Sequence, residues 1–368
     1  MGYNLNGRDV TVEKQIKTSP YNIAAAYTGT VVGAGFASGQ EIMQFFAAHG
    51  LAGFRGIILT SLLFIIFGYI LLELGRLYGA DSHQTIINLI LGRRTSRIID
   101  YTITCFLFFT LTAMIAGTGA LFNEYIGLPI PAGNLIMSLA VLATVYLGIG
   151  VIIRALSAVV PFLMTGIFSI ALLAIFDKTT NPLPGLKHIP LPDIKPPVPG
   201  WGFSALVYTS YNLIIAIGIL APLGNRIENK RTAKAGALLG GLALGAGAAA
   251  VMLSLFLNFP RAGKYEIPML FAVSHYSPVI HFLFTLLVFT EIYSTAVGNL
   301  YGLTVRLNSS YNLSYKKVTF GLTLSALLAS GFGFSRLIHY FYPVAGLTGI
   351  ILLLALTREA LKSIKVII

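Results

Sequence analysis

The sequence predicts an all-α polytopic membrane protein of about ten helices, arranged as two inverted repeats of about five, with the first and sixth helices broken. Three observations predict this. First, of the 368 residues 56% are hydrophobic and only 10% charged, with a mean hydropathy of +0.80, against about 25% charged in a soluble domain. Second, the basic residues alternate in abundance from one interhelical loop to the next. Third, the first apolar segment is interrupted by Gly33-Ala34-Gly35-Phe36-Ala37-Ser38-Gly39-Gln40-Glu41.

Residues 1–20 are a polar segment with no apolar core, so no cleavable signal peptide is expected. Ten apolar runs follow, at residues 21–49, 54–78, 98–126, 133–153, 156–176, 202–223, 235–259, 279–304, 318–334 and 337–356. With these spans, 18 of the 25 Lys and Arg fall on one side: Arg8, Lys14, Lys17, Arg76, Arg93, Arg94, Arg97, Arg154, Arg226, Lys230, Arg231, Lys234, Arg306, Lys316, Lys317, Arg358, Lys362 and Lys365. The other side holds Arg55, Lys178, Lys187, Lys195, Arg261, Lys264 and Arg336. The positive-inside rule then puts both termini in the cytoplasm of a plasma-membrane protein. The net charge of +12 is therefore topological, and nucleic acid is not an expected partner.

Residues 178–200 are read as an extracellular loop, because seven prolines fall within residues 181–200 and proline resists helix. The loop divides a first repeat, residues 21–177, from a second, residues 201–358, ahead of a cytoplasmic tail, residues 359–368. An odd number of helices per half gives the halves opposite topology. The sixth span should then be interrupted like the first, and the cluster Tyr208-Thr209-Ser210-Tyr211-Asn212 is the place for it. Its hydroxyl and amide side chains offer the backbone alternatives to the helix ladder. A continuous helix with a polar stripe is the plainer alternative.

Glycine weakens a helix by roughly 1 kcal/mol relative to alanine. Unwound backbone at membrane depth is tolerated only where protein encloses it or where it lines a polar cavity. A half-helix ending at Val32 presents carbonyls, and one starting near Ser38 presents amides. A zwitterion suits both, with its carboxylate at the amides of Ala34, Gly35 and Phe36 and its ammonium at the carbonyls of Tyr208 and Thr209. The substrate-binding candidates are thus Gly33, Ala34, Gly35, Phe36, Ser38, Gln40, Tyr208, Thr209, Tyr211 and Asn212, with the two tyrosines as walls or gates. Close helix packing is the competing explanation for the glycines.

The run from Thr30 to Glu41 is similar to the first-helix signature of the bacterial YkvI-type membrane proteins. That group is classed as an amino acid permease family within the amino acid–polyamine–organocation superfamily. The similarity covers most of the chain, including residues 208–212 and Glu291-Ile292-Tyr293-Ser294-Thr295. It implies a LeuT-type fold with a central site between the first and sixth helices.

Glu41 and Glu291 lie in apolar spans without a Lys or Arg one turn away. Intramembrane carboxyls mark a pathway or a pair, so each must carry a proton, hold a cation or meet a cationic group of the solute. A hydrogen bond that ties down the broken helix is the structural alternative. In sodium-coupled relatives of the resembled fold, a hydroxyl pair on the eighth helix meets first-helix carbonyls around sodium. The resemblance implies the same here for Ser294 and Thr295 with Gly29 and Val32, an oxygen-only set suited to a hard cation. Back-bonding of those hydroxyls to their own helix is the alternative, and Glu291 departs from the apolar residue often found at its position, which keeps proton coupling open. Glu73 and Arg76 read as an interfacial ion pair, Cys105 as a small buried hydrophobe, and the glycines and alanines of residues 236–247 as a packing face.

No phosphate-binding loop, catalytic triad or metal cluster is present in the sequence, so no enzyme, ATP-driven pump or cofactor other than sodium is expected. The reading is a cation-coupled secondary transporter of a small amino acid or amine-containing solute, sodium being favoured over protons. A nutrient sensor on the same fold and an uncoupled facilitator are the alternatives.

Overall fold

The computed structural model describes residues 19–147, 159–176, 194–258, 261–311 and 313–367. These are overwhelmingly helical, and no strand occurs among them. The basic residues expected at positions 8, 14, 17, 154, 178 and 187, and most of the proline-rich loop, lie outside the described residues.

Helix α1 (Pro20–Val31) starts with proline at its first position and a Ser19 side chain accepting from the Asn22 amide at 3.2 Å, both natural helix starts. It stops where the glycines begin. Val32 and Gly33 are extended, a single turn α2 (Ala34–Ala37) follows, and α3 (Gln40–Phe45) begins after Gly39. Gly39 has a φ of 82°, a left-handed conformation that only glycine adopts at little cost. The residues of α2 and α3 are buried, so the irregular backbone is enclosed by protein, as the bilayer demands.

The remaining helices are α4 (Ala52–Tyr78), α5 (His83–Ile126, turning a corner at Gly92), α6 (Ile130–Leu147), α7 (Val159–Phe176), α8 (Trp201–Asn225), α9 (Lys230–Leu257), α10 (Pro268–Val273), α11 (Pro278–Tyr311), α12 (Tyr315–Ala329) and α13 (Phe334–Ile367). Among the described residues, seven are long and apolar enough to cross a membrane, within α4, α5, α6, α8, α9, α11 and α13. The other three expected spans fall on the interrupted α1–α3, on α7 and on the 15-residue α12. Glu73 and Arg76 form the expected ion pair at 2.7 Å. Cys105, expected to be buried, is exposed.

The sixth helix corrects the sequence reading. Helix α8 runs unbroken from Trp201 to Asn225, straight through residues 208–212. The polar side chains there bond back to their own helix instead of opening it. Thr209 Oγ1 donates to the Ala205 carbonyl at 2.8 Å, Ser210 Oγ to Val207 at 2.8 Å, and Asn212 Nδ2 to Tyr208 at 3.0 Å. Ser210 also reaches the Gly346 carbonyl of α13 at 2.6 Å. With no glycine in the cluster, the helix has nothing to gain by unwinding.

Helix α1 packs on α9 and α8 packs on α4. Small residues make both contacts close. A methyl group at Gly236 or Gly240 would overlap Ile23 or Tyr27, and one at Gly75 or Gly224 would overlap the backbone of the facing helix. The glycine-rich stretch of α9 is thus a packing face. Helix α5 packs on α11 and α13, and these three, with α8, wall the break in the first helix.

Candidate functional site

A cavity of about 400 Å³ opens beside the break. The first helix supplies residues Gly29 to Gly35 and Glu41, α8 supplies Tyr211 and Asn212, and α11 supplies Glu291, Ser294 and Thr295. Both intramembrane acids, the hydroxyl pair and the broken backbone therefore share one space. At one end the lining residues Ile219 and Gly298 are exposed, and that is the mouth.

The opposite end is closed by aromatic rings. Tyr211 packs against Phe45, Phe106, Tyr208 and Tyr342 with ring centroids 5.2–5.7 Å apart. Tyr208 extends the cluster to Phe46, at 4.9 Å, and Phe64, at 6.2 Å. Within this seal Tyr211 Oη donates to Glu41 Oε2 at 2.7 Å. The Glu41 carboxylate folds back over Gly35, where a methyl group would overlap it. Gly35 is a glycine because of this approach.

Glu291 is only 3% exposed, and its Oε2 has no hydrogen-bond partner among the described residues. Ser294 Oγ donates to the Glu291 carbonyl at 2.9 Å, the back-bond weighed from the sequence. Thr295 differs: its hydroxyl lies beside Gly33 and makes no hydrogen bond among the described residues. The amides of Ala34, Gly35 and Phe36 belong to a first turn and have no acceptor within it.

Several sequence candidates lie elsewhere. Ser38 Oγ donates to the Gly35 carbonyl and accepts from the Gln40 amide, so it braces the kink. Phe36 packs near Gly247. Gln40 lines a separate pocket with Gln44 and Arg336. Tyr208 and Thr209 do not line the cavity, and the ladder of the continuous α8 engages their carbonyls. Sequence reasoning missed Phe106, Thr110 and Met114 of α5, Tyr342 of α13 and Asn299 of α11. Only Asn299 had a readable signal: Glu291, Thr295 and Asn299 recur every fourth residue, on one helix face.

No protein-family model matches the chain. Over 336 residues it is 33% identical to the uncharacterized membrane protein YkvI of Bacillus subtilis (strain 168), covering 90% of this chain and 94% of YkvI. The chain belongs to the YkvI family. A second relative of this YkvI-family protein in the same organism, the uncharacterized protein YyaD, is 29% identical over 330 residues, covering 89% of this chain and 93% of YyaD. The resemblance read from residues 30–41 therefore holds over nearly the whole chain.

Solved structures show which fold the YkvI family has. The inward-facing conformation of Mhp1 matches with a TM-score of 0.63 at 15% identity, over 85% of this chain and 70% of that one. MhsT in complex with L-phenylalanine matches with a TM-score of 0.55 at 17% identity, over 90% and 88%. A Na⁺-coupled sialic acid symporter in a substrate-bound outward-open state matches with a TM-score of 0.56 at 11% identity, over 91% and 75%. This is the LeuT-type fold that the resemblance implies.

Proposed function

We propose that the protein is a cation-coupled secondary transporter of a small amino acid or amine-containing solute, working by alternating access around the cavity beside the broken first helix. One observation carries the reading: the cavity gathers the break, both buried acids and the unpartnered Thr295 hydroxyl, and among the described residues no Lys, Arg or His lines it. Such a lining favours positive charge. The names of the structural neighbours agree, since one is Na⁺-coupled and another was solved with an amino acid.

Sodium is favoured over protons because Thr295 stands free beside the carbonyl end of α1. Carbonyls of Gly29 and Val32 with the Ser294 and Thr295 hydroxyls would hold the ion through oxygen alone. The crossed pairing of α1 with α9 and of α8 with α4 supports two inverted five-helix repeats, and the excess of Lys and Arg in alternate loops favours a cytoplasmic side for residues 1–20 and 359–368. With the termini so placed, the mouth at Ile219 and Gly298 faces the cytoplasm, in keeping with the likeness to inward-facing Mhp1. Gly33, Ala34, Gly35, Tyr211 and Asn212 are then the solute contacts on the first and sixth helices.

Uptake of labelled amino acids and amines into proteoliposomes tests the proposal. Uptake that needs a sodium or proton gradient supports it, whereas binding without uptake would make the protein a sensor.

A further inference from the structure

We infer that the solute is an organic amine without a carboxylate, its ammonium held by Glu291 and a hydrogen-bond acceptor at its far end held by Asn299. This rests on reading the cavity as the transport site, and it names the substrate class of that site.

The first support is Glu291 itself. Its carboxyl is buried at 3% exposure, lines the cavity, and has an oxygen without a partner among the described residues. An acid in that position within a membrane needs a positive partner. Glu41 is not an equivalent seat for the ammonium, since its carboxylate is held by the Tyr211 hydroxyl and pressed onto Gly35.

The second is charge balance. The lining contains Glu41 and Glu291 and, among the described residues, no basic side chain. A zwitterion adds no net charge, so with both acids ionised and one sodium ion bound it leaves a negative charge uncompensated and sets a third carboxylate beside the two present. An amine with one sodium ion balances both acids. The zwitterion pose also loses its ammonium contacts, because the continuous α8 engages the Tyr208 and Thr209 carbonyls.

The third is Asn299. Its Nδ2 is buried without an acceptor among the described residues, and the residue is part of the cavity lining, two turns beyond Glu291 or about 12 Å along the helix. A donor at that distance asks for an acceptor on the solute. Thr295 lies between the two on the same helix face, and the rest of the lining includes Phe106, Met114, Ile215 and Tyr342, so the body of the solute is apolar or aromatic.

Tyramine and L-tyrosine differ only in the carboxylate, and phenethylamine lacks the phenol oxygen. Calorimetric titration of the purified full chain in sodium buffer should show tyramine bound about tenfold or more tighter than L-tyrosine. Glu291→Gln should weaken tyramine about tenfold or more, Glu291→Asp should retain binding, and Asn299→Ala should weaken tyramine more than phenethylamine. Unliganded melting temperatures identify any variant that has simply lost its fold. Equal affinity for tyramine and L-tyrosine, no binding of either amine, or unchanged tyramine binding by a folded Glu291→Gln protein would each overturn the inference. Uptake keeps the two claims apart. Glu291-dependent tyramine binding without uptake would sink the transporter reading alone, and gradient-driven uptake of amino acids but not amines would sink this inference alone.

Discussion

Tyr211, on the unbroken α8, donates its hydroxyl hydrogen to Glu41, beyond the break in the first helix, at 2.7 Å. The bond joins two elements that line the cavity. It sits inside the aromatic cluster that closes the cavity away from its mouth. Alternating access requires such contacts to be made in one state and released in another, and a single hydrogen bond to a buried acid is strong enough to matter and weak enough to break.

Tyr211→Phe removes the donor and keeps the ring. Left buried without its partner, the Glu41 carboxyl should cost the protein about 1–3 kcal/mol. Thermal melting of the purified variant should show a lower midpoint. An unchanged midpoint would mean that the bond is not a determinant of the closed end.

Gly35→Ala should be far worse in the wild type than in a Glu41→Ala background, because the added methyl group meets the Glu41 carboxylate. A double-mutant cycle on melting stability should give a coupling of about 0.5–3 kcal/mol. Additive losses would show that the two positions do not touch.

The break in the first helix was legible because three glycines, at 33, 35 and 39, occur where an apolar span has no other use for them. The acids and hydroxyls were legible because polar groups are costly at membrane depth. The continuity of α8 was not. Whether Ser210 opens its helix or bonds back to it is decided partly by the Gly346 carbonyl, 136 residues away. The return of Glu41 onto Gly35 was equally hidden, since it depends on the left-handed turn at Gly39. Phe106, Thr110 and Met114 reach the cavity from a helix that reads as an ordinary apolar span.

Ser210→Ala removes the hydrogen bonds to Val207 and Gly346 without adding bulk. The expected loss is about 1 kcal/mol, and α8 should stay helical. Hydrogen exchange along residues 206–214 reads this directly. Extensive new exchange there would show that the hydroxyl, rather than the lack of glycine, keeps the helix whole.

Thr295→Ala should raise the sodium concentration needed for half-maximal uptake, whereas Glu291→Gln should weaken solute binding and leave the sodium requirement nearly unchanged. If protons drive the cycle the pattern inverts: Thr295→Ala is silent, and Glu291→Gln or Glu41→Gln uncouples uptake and flattens its dependence on pH. Uptake rates measured against sodium at fixed pH, and against pH at fixed sodium, separate the two.

The central claim is concentrative transport through this cavity, and the most direct measurement is the steady-state accumulation of labelled amines and amino acids in proteoliposomes under an imposed inward sodium or proton gradient. The account predicts that one of these solutes accumulates above its external concentration only while the gradient lasts. Equilibration to the external concentration at full rate with no gradient would contradict the account and leave a facilitator.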